Sequence, residues 1–373
     1  MLLLSDFTVQ NVAAGAALLG VTSGVLGAFA VLRGQSLLGD TLSHAALPGI
    51  CLGFIIAGSR HLPSLLLGAL AAGLAATLLM FLLDHYSRLK TDAILGSVLS
   101  VFFAVGVVLL TWIQGQAGTA HGGLESFLFG QAAAILRGDL LLIGSITVAA
   151  LALVSLFLKE LKVTVFDPVF AATLGYPVAL IQAVMTMLVA VAVVVGLQLV
   201  GVVLMAAMII APAVGARQWV NRLEHMLLLA AVLGAVAGVS GALVSSAQRG
   251  LSTGPVVVLV ACGIAFFSIL FAPGRGVVWE RQNRWRSSRR LRTRQLLTTM
   301  LRLSQEHSDS DYATEEGMLN AYMGLGTRRA LRRLESDGLI KHVVHMPEEG
   351  SHWMLTGAGR EAAERVLREL GRQ

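Results

Sequence analysis

Nine long apolar runs constrain this chain more than any other feature. They lie at about 10–33, 36–57, 62–84, 93–113, 137–158, 178–197, 199–216, 225–246 and 255–272. Each approaches the roughly 20 residues that an α-helix needs to cross a ~30 Å hydrocarbon core. The second run is broken by a motif of its own, and the sixth and seventh nearly touch. Only 13% of the residues are charged and the mean hydropathy is +0.75, whereas soluble domains carry about 25% charged residues. The 40 glycines suit the same solvent, because helices in lipid associate through close approach at small residues. The expected fold class is an all-α polytopic membrane bundle of about eight or nine spans, followed by a smaller water-soluble part.

The change of solvent is visible in the charges. Residues 1–273 hold 10 Lys+Arg and 9 Asp+Glu, while residues 274–373 hold 18 and 13. The expected division is a transmembrane domain at 1–273, a basic linker at 274–290 and a cytoplasmic domain at 291–373. Arg88 and Lys90, Lys159 and Lys162, Arg217 and Arg222, and the Arg-rich tail from Arg275 all fall on one side if nine spans alternate. The positive-inside rule makes that side the cytoplasm and leaves the N-terminus outside. No cleaved signal is expected, since the first residues show neither a basic stretch nor a small-residue cleavage site. Cys51 and Cys262 both sit in apolar runs and form neither a metal-spaced pair nor a disulfide framework.

Within the second run stands RGQSLLGDTLSHAALPGI, from Arg33 to Ile50. Asp40 and His44 are four residues apart, which puts them on one helical face with Cβ atoms about 5–6 Å apart. At 1.5 Å per residue they lie about 10–17 Å beyond Arg33, toward the midplane, where transporters often hold substrate on interrupted helices. A charge there costs about 2.5–3.5 kcal/mol by insertion scales, which argues for use. Pro48 and Gly49 then interrupt the segment. One carboxylate and one imidazole suit manganese, iron or zinc better than copper(I). They make half a site, which two copies around a two-fold axis would complete, loosely enough for an ion to leave. The residues alone also fit a second reading: Asp40 as a helix cap or a partner of Arg33, and His44 bonded to a carbonyl.

Two further segments invite a role. In 159–177, Asp167-Pro168 reads as an N-cap followed by Pro at the first turn. Phe170, Leu174 and Gly175 then suggest a short amphipathic helix, suited to docking on a partner or simply to packing on the bundle. Span seven carries Pro212, a kink with no assigned role. In the outside segment 114–136, which includes LFG at 128–130, His121 reads as a solvated loop residue. With no Walker sequence GxxxxGK[ST], the chain is not expected to hydrolyse ATP.

Several stretches together resemble the membrane permease subunit of the metal-ion ABC importers, the family that brings manganese, zinc or iron into bacteria. They are 33–50, TDAILGSVLSVFFAVGVVL at 91–109, LFG at 128–130, FDPVFAATLGYPV at 166–178 and GVVLMAAMIIAPAVGAR at 201–217. The resemblance implies a homodimer of permeases in the bacterial plasma membrane, cytoplasmic ABC ATPase subunits that carry the ATP, and an extracytoplasmic metal-binding protein that delivers the ion. It implies that Asp40 and His44 are intramembrane metal ligands paired across the dimer. It also makes Asp167, Pro168, Leu174 and Gly175 part of the helix that couples to the ATPase. No cofactor is expected to be held permanently, because the metal is cargo.

The tail reads as helices at 291–306, 313–323 and 326–337, a hairpin of 339–344 and 351–356 around MPEEG, and a helix at 358–370. This winged-helix order is similar to the DNA-binding part of iron- and manganese-dependent repressors. Arg328, Arg329, Arg332 and Arg333 fall on its third helix, where such a fold would read DNA or meet an acidic protein or lipid surface. His342, His345 and His352 near the wing read as surface residues. The expected function is the permease of an importer for a divalent transition metal, manganese ahead of zinc or iron. The alternatives are a membrane-anchored, metal-responsive DNA-binding regulator and the permease of a siderophore or vitamin importer.

Overall fold

The computed structural model describes residues 7–58, 62–115, 130, 137–247, 251–307, 312–324, 327–343 and 351–370. His121, Leu128, Phe129, the MPEEG turn and His345 lie outside the described residues. The chain divides into two compact units, Met1–Gly276 and Val277–Gln373.

Among its described residues, the first unit holds helices and no strand. Its elements are α1 (Phe7–Leu32), α2 (Leu38–Ala57), α3 (Leu62–Tyr86), α4 (Thr91–Gly115), α5 (Arg137–Leu156), α6 (Leu158–Phe166), α7 (Pro168–Thr173), α8 (Val178–Val200), α9 (Val202–Trp219), α10 (Leu223–Ala247) and α11 (Thr253–Phe271). Among the described residues, eight of these helices are long and apolar enough to cross a membrane. The remaining apolar run, 199–216, is helical too. It becomes α9, whose Val202, Met205, Met208 and Ile209 are buried.

Packing in this unit relies on missing side chains. Gly20 and Gly234 face each other across α1 and α10, and a Cβ on either would strike the other's carbonyl. Gly49 and Gly68 do the same across α2 and α3. Such approach supplies the dispersion contact that the hydrophobic effect cannot supply between helices in lipid. Thr22 and Thr147 add a 2.8 Å hydroxyl hydrogen bond between α1 and α5.

Two expectations about breaks come out differently. Runs six and seven, expected nearly to touch, are separated by a single residue, Gly201, with φ of +90°, which ends one helix and precedes the next. Gly130, at φ +75°, packs on the Leu199–Gly201 backbone, where a Cβ would come within 2.5 Å of the Leu199 carbonyl oxygen. Run two, by contrast, is not interrupted: α2 continues through Pro48. Proline removes one backbone hydrogen bond, and neighbouring helices can support the freed groups in a membrane bundle. The Pro48 ring lies against α4 at Gly106, where a Cβ would be only 3.0 Å from Pro48 Cδ. α9 likewise continues through Pro212.

The second unit contains α12 (Val277–Glu306), β1 (Thr314–Glu315), α13 (Glu316–Met323), α14 (Thr327–Ser336), β2 (Ile340–Val343), β3 (His352–Leu355) and α15 (Gly357–Leu370). The segment expected as a linker is helical from Val277 onward. The strands form one antiparallel sheet in the order β1-β3-β2, with Lys341 opposite Met354 and Thr314 opposite Trp353. A small core gathers Leu296, Met300, Leu319, Leu331, Ile340 and Trp353. α14 is sharply two-faced: Thr327, Ala330, Leu331 and Leu334 are buried, as the 3.6-residue period requires.

Candidate functional site

The metal-site candidate is built from the α1–α2 corner. Gly34, at φ +70°, turns the chain, and the Gln35 amide returns to the Ala30 carbonyl at 2.9 Å. α2 then starts at Leu38, with Leu37 at the N-cap position and no side-chain cap. Asp40 is therefore in the first helical turn, not at the cap. The positive end of the helix dipole favours a carboxylate there.

Asp40 Oδ1 lies 3.3 Å from His44 Nε2. The other ring nitrogen, Nδ1, is buried and has no hydrogen-bond partner among the described residues. The His44 ring meets the edge of Phe103 on α4, with centroids 4.8 Å apart and planes at 75°. One turn earlier, the Thr41 hydroxyl bonds both the Leu37 carbonyl, at 2.8 Å, and the Leu95 carbonyl of α4, at 3.2 Å. Thr41 and Phe103 thus fix the helix and the ring that present the pair. Neither was singled out from the sequence, where a threonine and a phenylalanine in apolar runs look like ordinary filling. Arg33 faces a small polar cavity of about 60 Å³ that it shares with Asp84 and Gln35, while the partner of Asp40 is His44.

The pair is partly open: the Asp40 side chain is 34% exposed and that of His44 17%. Among the described residues, no group of three or more His, Cys, Asp or Glu could hold a metal ion. One chain thus offers two hard-to-borderline donors at a surface, fewer than the four to six that such cations usually take. A cavity of about 700 Å³ is an apolar groove lined by Pro48, Leu52 and Ile56 of α2 and by Val101 and Phe102 of α4. It carries none of the donors and begins about one turn beyond His44.

The second candidate is α7. Asp167 Oδ1 accepts from the Phe170 amide at 2.9 Å, and Pro168 occupies the first turn. The helix ends at Thr173, with Leu174 at the C-cap and Gly175 at φ +85°. Ala171 is buried, whereas Phe166, Val169, Phe170 and Leu174 are exposed. α6, which leads into it, is tied to the first turn of α10 by a 2.7 Å Lys162–Glu224 ion pair. That pair was also missed, because nothing in the spacing links residues 62 positions apart.

In the second unit, Arg328, Arg329, Arg332 and Arg333 are exposed on α14. Arg328 Nε lies 3.4 Å from Glu316 Oε1 of α13. Glu316 also accepts from Trp353 Nε1 at 3.4 Å. His342 meets the Trp353 ring edge-on at 5.1 Å. His352 is buried on the sheet, contrary to the surface placement expected.

A family model described as the ABC 3 transport family matches residues 5–272. The chain is 41% identical over 355 residues to the manganese transport system membrane protein MntC of Bacillus subtilis, covering 94% of this chain and 80% of that protein. It is 49% identical over 288 residues to the zinc transport system membrane protein TroC of Treponema pallidum, covering 77% and 97%. Among solved structures, PsaBC from Streptococcus pneumoniae in complex with Fab is similar with a TM-score of 0.64 at 32% identity, covering 73% of this chain and 95% of that one.

Proposed function

The chain belongs to the ABC 3 transport family, and from that premise we propose that it is the membrane permease of an ATP-driven importer for a divalent transition metal. Manganese comes first, then zinc or iron, because the similar Bacillus protein is named for manganese and the Treponema protein for zinc. The protein is a multi-pass component of the bacterial plasma membrane. It has no Walker sequence, so ATP is bound and hydrolysed on partner subunits.

One observation carries the mechanism. Asp40 and His44 form a partly exposed two-donor half-site at 3.3 Å, and among the described residues no third His, Cys, Asp or Glu joins them in a group that could hold a metal ion. Two permeases related by a two-fold axis would bring two carboxylates and two imidazoles to one ion. The ion would be received from an extracytoplasmic metal-binding protein and released inward. Four mixed O/N donors hold a divalent cation while allowing it to leave, which conduction requires. The transition metal is cargo here, not a resident cofactor.

Coupling is assigned to α7. Its cap at Asp167-Pro168 and its stop at Leu174-Gly175 hold an apolar surface of Val169, Phe170 and Leu174 outward. On the cytoplasmic side, where Lys159 and Lys162 place it, that surface would seat in the ATPase. The tail would share that side. We read the tail as a winged-helix-like module, a reading that draws support from its helices, small three-stranded sheet and final helix. We assign it as a partner-binding module next to the ATPase, with Arg328, Arg329, Arg332 and Arg333 as its contact face. DNA binding is the less favoured use of those arginines, since tethered DNA readers reach only DNA brought to the membrane.

The test is metal-specific accumulation in cells that lack the transporter. Asp40→Ala and His44→Ala are each expected to abolish manganese uptake while membrane abundance is unchanged. Normal uptake by both variants would remove the ligand assignment. Uptake of an iron chelate or a cobalamin in place of the free ion would favour the siderophore or vitamin reading.

A further inference from the structure

The stretch after the last span carries a charge density that metal transport does not use. Residues 281–294, RQNRWRSSRRLRTR, hold seven arginines and no carboxylate. Only residues 272–276 separate the end of α11 at Phe271 from the start of α12 at Val277. A connector of that length spans at most about 20 Å, so a bilayer surface stays permanently within reach of the basic segment.

The two parts of α12 differ in kind. From Leu296 onward it turns Leu296, Leu297, Met300 and Leu301 into the core of the second unit. Between 281 and 290 the only apolar residue is Trp285, and the arginine spacings of 3, 2, 3, 1, 2 and 2 set no common helical face. A helix polar all round does not bury a face of its own. It therefore needs water or a surface of opposite charge. Ahead of it, Val277, Val278 and Trp279 are exposed, and tryptophan favours the headgroup level of a bilayer.

We propose that residues 281–294 bind the anionic phosphates of the lipid leaflet through the arginines that precede Arg294, which itself pairs with Glu369 at 3.2 Å, with Trp279 at the interface, and that this contact tethers the second unit at the membrane surface. Guanidinium groups match phosphate through paired N–H donors, and juxtamembrane basic clusters are drawn to anionic leaflets within a Debye length. Nearness selects this occupant over a nucleic acid or an acidic protein. The lipid is always present, and the others must arrive.

The test uses the full-length protein in nanodiscs of phosphatidylcholine alone or with about 30% phosphatidylglycerol, the anionic share that gives a cytoplasmic-type surface potential. Amide hydrogen exchange across 281–294 is expected to slow by about tenfold when the anionic lipid is present. The slowing should vanish between about 0.1 M and about 1 M salt as screening sets in. Arg284→Gln, Arg286→Gln, Arg289→Gln and Arg290→Gln together should erase the lipid dependence while exchange at 296–303 stays as in the parent. Equal exchange of the parent protein in both lipids would overturn the proposal. So would slowing that appears only when an oligonucleotide is added to zwitterionic discs, which would assign the segment to nucleic acid. Neither result bears on whether Asp40 and His44 carry metal.

Discussion

The second span and the tail place charge under opposite rules. In α2, Asp40 is the sole acid and its neighbour His44 the sole histidine of a 20-residue helix, in a setting where a charge is expensive. In the tail, 31 charged residues share 100 positions, each solvated at little cost. The comparison teaches that information per charged residue depends on the solvent. Two polar side chains in α2 define a chemical proposal, whereas four exposed arginines on α14 define only a sign. The family model runs parallel: it matches residues 5–272, which take in α2 and leave out the tail.

If the contrast holds, substitutions in α2 should be decisive and those on the tail surface nearly silent. Removing either donor, by Asp40→Ala or His44→Ala, should lower metal uptake by more than the roughly 10–100-fold that merely supporting a ligand is worth. Uptake assays at matched membrane abundance read this directly. Next in size is Gly20→Leu, whose Cβ would strike the Gly234 carbonyl. Overpacking of this kind costs about 1–3 kcal/mol or more, and the expected readout is loss of folded protein in detergent size-exclusion profiles.

The tail and the coupling helix give further tests, of which a core substitution is comparable in size to Gly20→Leu and the others are smaller. Leu331→Ala empties a fully buried position of the second unit and should destabilise that unit by about 2–5 kcal/mol, seen as earlier proteolysis of the tail in the full-length protein. Asp167→Ala removes the cap on the Phe170 amide at a cost of about 1 kcal/mol. A partial loss of metal-stimulated ATP hydrolysis should accompany it, with ion binding unchanged. Arg332→Gln, exposed on α14, should shift stability by no more than about 0.5 kcal/mol. A thermal melt that moved further would break the distinction drawn here.

The helices of the first unit were legible because lipid demands length and hydrophobicity, and both can be read without knowing any contact. The cap at Asp167-Pro168 was legible because its chemistry is local. The continuity of α2 through Pro48 was not, since it depends on support from neighbouring helices that no local pattern reveals. Gly201 and Gly130 were equally silent. Their role is close backbone approach across 70 residues of sequence, and a glycine looks the same wherever it packs. At the candidate site, spacing alone placed Asp40 beside His44. The aromatic edge of Phe103 and the Thr41 bond to Leu95 arise from packing of α4 on α2, which only the fold supplies.

The central claim is that the working metal site belongs to two chains. A fusion of two permease copies through an added transmembrane linker helix, which carries the chain from the cytoplasmic tail of the first copy back to the outer side where the second begins, tests it most directly, with Asp40→Ala and His44→Ala in one copy and the other intact, assayed for manganese uptake alongside the unmutated fusion. The shared site predicts that uptake is lost as completely as when both copies are changed. Uptake near half that of the unmutated fusion would contradict it and would place a complete site within each chain.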